Sequence, residues 1–312
     1  MKSLLSAATV SCRQDVSRSC RAWLSCLAGL MLLGSLGSGL PAQAQVLFHS
    51  PVPNASLLQA QAMQLAGDSV RLAQFGQMEE ALGRLQLAVQ LVPESADLQF
   101  LMGSLHLELE HYTESVEALQ VARDLSPENG EILLTLGAAY LRQGSYFAAV
   151  DALEQGVELE PGSASAHFQL GNAYLLRGNP KDARREFEKA FDLDDQFWPA
   201  INNLGLIAYE EGDIETSIQN WETAIAIDDT VAEPKLALAT ALYIKGETIS
   251  AEELGAEAIQ LDPEYARLET LRINLWGPEL MRDVEVLLRT ETVQSALRQA
   301  AIEALQPPDP LP

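Results

Sequence analysis

Cysteine occurs three times in 312 residues, at Cys12, Cys20 and Cys26. Everything after the first 26 residues therefore lacks both a disulfide framework and thiol chemistry. Basic residues are scarce as well: 20 Lys and Arg stand against 44 Asp and Glu, a net charge of −24. A chain this acidic repels phosphate backbones and anionic lipid surfaces, which excludes nucleic acid as a partner and direct membrane-surface binding. Aromatic residues make up only 6% of the chain against 47% apolar overall, enough for one extended core or two compact domains. The chemical motifs are missing too: there is no G-x-S-x-G, no Gly-rich phosphate loop and no H-E-x-x-H. Of the four histidines, His49, His106, His111 and His167, the two in repeat columns, His106 and His167, are expected as packing residues, and neither has a Cys or carboxylate partner at a recognisable metal-ligand spacing. No catalytic residue, cofactor or metal is expected.

A continuous membrane-length hydrophobic run is also lacking. The apolar stretch Ala22 to Leu36 is interrupted by Gly29 and Gly34 and falls short of the ~20 residues that a spanning helix needs. Lys2, Arg13, Arg18 and Arg21 precede it, and Pro41 with the small-x-small site Ala42, Gln43, Ala44 follows. This pattern predicts a signal peptide over residues 1–44, cleaved before Gln45, with retention as an N-terminal membrane anchor as the alternative. Cleavage would remove all three cysteines and leave 16 basic and 43 acidic residues, a net charge of −27.

What the chain does have is a period of 34. The small residues Ser69, Gly103, Gly137, Gly171, Gly205 and Ala239 form one column, and Ala81, Ser115, Ala149, Ala183, Ser217 and Ala251 a second. A third column, Pro93, Pro127, Pro161, Asp195, Asp229 and Pro263, closes each unit with a turn residue. Small residues recurring in this way mark the close crossing of two antiparallel helices, where a larger side chain would overpack at a cost of about 1 to 3 kcal/mol. Larger columns fill the space around them: Leu136, Leu170, Leu204 and Leu238 on the first helix, Leu85, Leu119, Leu153, Phe187 and Trp221 on the second. One unit cannot bury such faces alone, so the units must stack.

Turn chemistry agrees with this register. Gly76, Gly144, Gly178, Gly212 and Gly246 stand where the first helix ends and a left-handed residue is needed, and only Glu110 departs. Pro180, Pro199 and Pro234 all fall in first turns of helices, where proline is tolerated. Residues 45–61 read as a linker and lead-in helix, with Ser56 as N-cap of a helix from Leu57. Beyond Tyr265 the columns stop. Leu268, Leu271 and Leu275 predict one helix, Leu280, Val284, Leu287 and Leu288 a second after the Gly277–Pro278 break, and Val293, Leu297 and Leu305 a third. These capping helices span residues 266–306, before a proline-rich, disordered tail over 307–312. The aspartate pairs 194–195 and 228–229 are expected as solvent-facing acids at helix starts.

The motif over Ala164 to Phe197, with His167, Leu170, Gly171, Tyr174, Ala183, Phe187 and Ala190, resembles the tetratricopeptide repeat (TPR). The resemblance extends over residues 62–265 as six units: 62–95, 96–129, 130–163, 164–197, 198–231 and 232–265. It implies an all-α fold, an α-solenoid wound as a right-handed superhelix, whose first helices line a concave groove that binds peptide segments of other proteins. Projected onto this chain, the groove columns give Phe100, Leu134, Phe168, Gln169, Asn172, Asn202, Asn203, Tyr209 and Tyr243 as candidate contacts. Amides would hold a partner backbone while rings take its apolar side chains. The groove edge is acidic, with Asp97, Glu108, Glu131, Glu210 and Glu233 against Arg142. Apolar or basic peptide segments are therefore the expected partners. The TPR subtype that clamps C-terminal carboxylates is not matched, because no Lys stands at its clamp columns.

The expected function is a non-enzymatic scaffold or assembly factor, exported to the periplasm or, in a photosynthetic host, the thylakoid lumen. An alternative is an accessory subunit of an envelope enzyme or of a secretion or polysaccharide-processing complex. An enzyme working through the groove acids is disfavoured, since an open groove gives little of the desolvation that raises a carboxylate pKa.

Overall fold

The computed structural model describes residues 54–304. The expected signal peptide over residues 1–44, its alternative as an anchor, most of the linker, Leu305 of the expected third capping helix and the expected tail over 307–312 lie outside the described residues. Twelve helices follow one another as antiparallel pairs: α1 (Ala55–Gln74) with α2 (Met78–Leu91), α3 (Ala96–Glu108) with α4 (Tyr112–Leu125), α5 (Gly130–Gln143) with α6 (Tyr146–Leu159), α7 (Ala164–Leu176) with α8 (Pro180–Leu193), α9 (Trp198–Glu210) with α10 (Ile214–Ile227), and α11 (Ala232–Lys245) with α12 (Thr248–Leu261). Each second helix also packs on the first helix of the next pair. The result is an all-α solenoid.

The small columns lie at the crossings within each pair. A Cβ on Gly171 would sit 2.4 Å from Cε1 of Phe187, and one on Gly205 2.5 Å from Nε1 of Trp221. Both rings are fully buried, so neither has room to give. Where serine replaces glycine or alanine its hydroxyl is used: Ser69 donates to the carbonyl of Ala81 and Ser115 to that of Gly103, each at 2.8 Å. These two buried hydroxyls thus find partners across the crossing, while Ser217 donates within its own helix to the Ile214 carbonyl.

Between the two helices of every unit the chain turns through a left-handed residue. The five glycines have φ between +75° and +91°, and Glu110 holds the same turn at +60°. The residue after each then donates its N–H back into the first helix, as His111 does to the His106 carbonyl and Asp213 to that of Ala208. Those bonds satisfy carbonyls that the helix end leaves free.

Three local expectations are corrected. The first helix begins at Ala55, because Asn54 rather than Ser56 caps it, accepting from the N–H groups of Ser56 and Leu57. Asp194 and Asp228 follow second helices instead of opening first ones. Their carboxylates accept from the backbone of Gln196 and Thr230, tying the turn between units. Leu275 is not helical: it takes φ +66° just after a short helix, and its left-handed backbone reverses the chain.

After α12, a 3-10 turn (Pro263–Ala266) leads into α13 (Leu268–Ile273), α14 (Pro278–Leu288) and α15 (Glu291–Ala304). Helix α15 packs along α12 and closes the last pair. Helix α14 lies instead against α9 and α11, on the face built by the first helices. Leu280, Val284 and Leu287 are fully buried there, and Trp276 and Leu271 join them in one core with Tyr209, Trp221 and Leu236.

A groove filled at one end by the chain itself

The first helices place the candidate contacts in rows, but the rows differ along the solenoid. In the fifth and sixth units every residue from Ala200 to Tyr209 and from Ala232 to Ala241 is buried. A helix buried on all sides has something on each face, and here the fourth side is α14. Asn202 (1% exposed), Asn203 and Tyr209 are therefore enclosed, and Tyr243 packs half-buried against the same core. In the fourth unit Gln169 and Asn172 stay half-exposed.

The aromatic positions pack among the helices of the solenoid. Phe168 meets Phe187 at a centroid distance of 5.6 Å and Phe197 edge-on at 5.3 Å. Leu134 is buried against Leu153 and its neighbours, and Phe100 is half-buried beside Leu119 and Leu136. The amides bond to one another. Asn203 donates to Asn172 Oδ1 at 2.9 Å, and Asn202 donates to Asn203 Oδ1 at 3.2 Å, a chain that links α7 to α9.

Five hydrogen bonds pin the C-terminal segment onto this face. The Tyr209 hydroxyl donates to Asp283 Oδ2 at 2.7 Å; burial first, and then this bond, pushes the Tyr209 pKa above its ordinary value. The Glu210 carboxylate accepts from the backbone N–H of Glu279 (3.2 Å) and Leu280 (2.9 Å), the free N–H groups in the first turn of α14. A carboxylate there is favoured by the helix dipole. Glu233 accepts from the Trp276 indole at 3.1 Å and from the Tyr265 hydroxyl at 3.4 Å. Glu233 is almost wholly enclosed, and burial pushes its carboxyl up to about 7 despite the bonds from Trp276, Asn202 and Tyr265 that favour the charged form. These partners were outside the reach of sequence columns, because Trp276 and Asp283 lie beyond the last repeat.

Two cavities remain along the face. One of about 480 Å³ lies where the C-terminal segment enters, between Leu175, Leu176, Leu206, Ile207 and Glu210 on one side and Trp276 and Gly277 on the other. A second of about 340 Å³ sits in the first two units, walled by Ala73, Gln74, Leu101, Ser104, Leu105 and Glu108. No group of three metal-binding side chains occurs among the described residues. His167, a candidate for packing by its column, is buried between Glu186 Oε2 (2.7 Å) and the Pro161 carbonyl (3.2 Å). Burial works against the charge of Glu186, but hydrogen bonds from His167 and Lys189 hold its pKa below the ordinary carboxylate value.

A tetratricopeptide repeat family profile matches residues 70–130 and 134–196. The chain carries tetratricopeptide repeats. No curated protein matches the TPR chain in sequence. Among solved structures it is similar to MamA of Desulfovibrio magneticus RS-1, with 24% identity and a TM-score of 0.52 over 54% of this chain and 96% of that one. It is also similar to PilF of Pseudomonas aeruginosa, with 20% identity and a TM-score of 0.57 over 71% of this chain and 98% of that one. At these identities the likeness is one of fold. TPR proteins bind other proteins or peptides, and the TPR units here supply a surface of that kind.

Proposed function

We propose that the protein is a non-enzymatic scaffold or assembly factor that holds segments of partner proteins on the open inner face of its first four units. The observation that carries this is the contrast along one face. Its last two units are filled by α14, while in the first four it lies open around Ser104, Leu141, Gln169 and Asn172. Of the candidate contacts, Gln169 and Asn172 then serve a partner, with Phe100, Leu134 and Phe168 forming the wall beneath it. Asn202, Asn203, Tyr209 and Tyr243 serve the chain's own helix. Asp97, Glu108 and Glu131 are exposed along the open part, which favours apolar segments carrying Lys or Arg and makes binding weaken as salt rises.

Export rests on the leader pattern of residues 1–44, and the site of action follows as periplasm or thylakoid lumen. The test is crosslinking of the native mature protein, pull-down and mass spectrometry, repeated with Ser104→Arg plus Gln169→Arg. These side chains project from half-buried surface positions, so helicity should be kept while the crosslinked partner is lost. A partner retained in full by the double variant, with helicity intact, would place its contact elsewhere on the solenoid.

A further inference from the structure

The way α14 is held repeats itself, unoccupied, 102 residues earlier. Three repeats of 34 separate Glu210 from Glu108 and Glu233 from Glu131. The first of each pair ends one unit's first helix, and the second begins that of the next unit. In the filled copy Glu210 caps the N-terminal N–H groups of α14, and Glu233 takes the indole N–H of Trp276, just before that helix. In the earlier copy Glu108 and Glu131 are both exposed, and neither makes a side-chain hydrogen bond or ion pair among the described residues.

The cavities follow the same offset. Ala73, Gln74, Ser104, Leu105 and Glu108 wall the cavity of the first two units, and Leu175, Leu176, Leu206, Ile207 and Glu210 stand three repeats later in the wall of the other. The later cavity has a lid, Leu275 to Gly277 of the C-terminal segment. The earlier one has none among its lining residues. Its wall is apolar apart from Ser69, Gln74, Ser104 and Glu108.

We infer that the groove of the first three units is a docking site for an amphipathic α-helix of a partner protein, entering in the pose that α14 and the turn ahead of it adopt over the last three. Glu108 caps the first-turn N–H groups of that helix, where the positive end of its dipole meets a carboxylate. Glu131 accepts an N–H or O–H from an aromatic side chain just ahead of it. The partner helix buries apolar residues at i, i+4 and i+7, as Leu280, Val284 and Leu287 do. It differs from α14 at one place. Leu107 stands where Tyr209 binds Asp283, so the partner carries an apolar residue instead of an acid there. This rests on the groove-binding function proposed above and names the kind of segment bound.

The probe is a synthetic peptide of residues 274–290 carrying Asp283→Leu, with a photoreactive benzophenone residue replacing Met281. It is offered to the full chain, and its affinity is read by fluorescence anisotropy. Adducts should map to α1, α3 or α5. Glu108→Lys should weaken binding at least tenfold, while Glu117→Lys, an exposed acid on α4, should leave it unchanged. Absence of binding, equal binding by the Glu108→Lys protein, or adducts on α9 and α11 from exchange with α14 would each overturn the inference. Any of these outcomes combined with loss of the native partner in Ser104→Arg plus Gln169→Arg would retain the groove function and reject only the helical mode.

Discussion

Tyr209 and Asp283, 74 residues apart in sequence, share a buried hydrogen bond of 2.7 Å. It couples the fifth unit to a helix that lies outside the repeat, and it makes the C-terminal segment part of the solenoid's core. Removing the hydroxyl with Tyr209→Phe leaves the Asp283 carboxylate short of a donor in a buried place, at a cost of about 1 to 3 kcal/mol. Amide hydrogen exchange should show the loss first over residues 278–288. Uniform loss across all units, or none, would contradict the role given to this pair.

The glycines give a pair of opposite outcomes for one substitution. Gly171→Ala places a Cβ 2.4 Å from the buried Phe187 ring and should destabilise by about 1 to 3 kcal/mol. Gly83→Ala, in mid-helix with nothing within 4 Å, should stabilise by roughly 0.5 to 1 kcal/mol through helix propensity. Urea midpoints of the two variants check both signs.

Glu110 is the one non-glycine among the left-handed turns that join the two helices of each pair. Its exposed contact with Arg142 is 4.0 Å long and contributes little. Glu110→Gly should therefore stabilise the second unit by about 1 kcal/mol, the strain of a side chain in that conformation. A lower melting temperature for Glu110→Gly would show that the ion pair outweighs the strain.

Glu233 makes stability depend on pH. Its carboxyl is raised from an ordinary 4.5 to about 7 in the folded chain, so the folded state binds the proton more tightly than the unfolded one. Its effect is nil below 4.5, and folded stability falls as pH rises from 4.5 to 7. Above that the cost levels off at about 3 kcal/mol, taking 1.36 kcal/mol per pKa unit. Glu233→Gln, which stays neutral, should flatten this slope between pH 5 and 7. An unchanged slope would assign it to other carboxylates.

The 34-residue period, the left-handed glycines and the helical C-terminal segment were legible in the sequence, because each is a local consequence of residue size or backbone freedom. The destination of α14 was not. Leu280, Val284, Leu287 and Leu288 announce a buried face, but the spacing is the same whether that face covers an end or fills a groove. Asn202 and Asn203 carried the signature of peptide-holding amides for a related reason. They do hold neighbours, namely Asn172 and Glu233 of the same chain. The cap at Asn54 was missed because Asn and Ser are equally good N-caps, and only the backbone geometry chooses between them.

The most direct measurement of the divided groove is hydrogen exchange on the native protein with and without its crosslinked partner. Protection should appear on residues 96–108, 130–143 and 164–176, with 198–210 and 232–245 unchanged because α14 already covers them. Partner-induced protection confined to 198–210 and 232–245, or to the second helices, would contradict it.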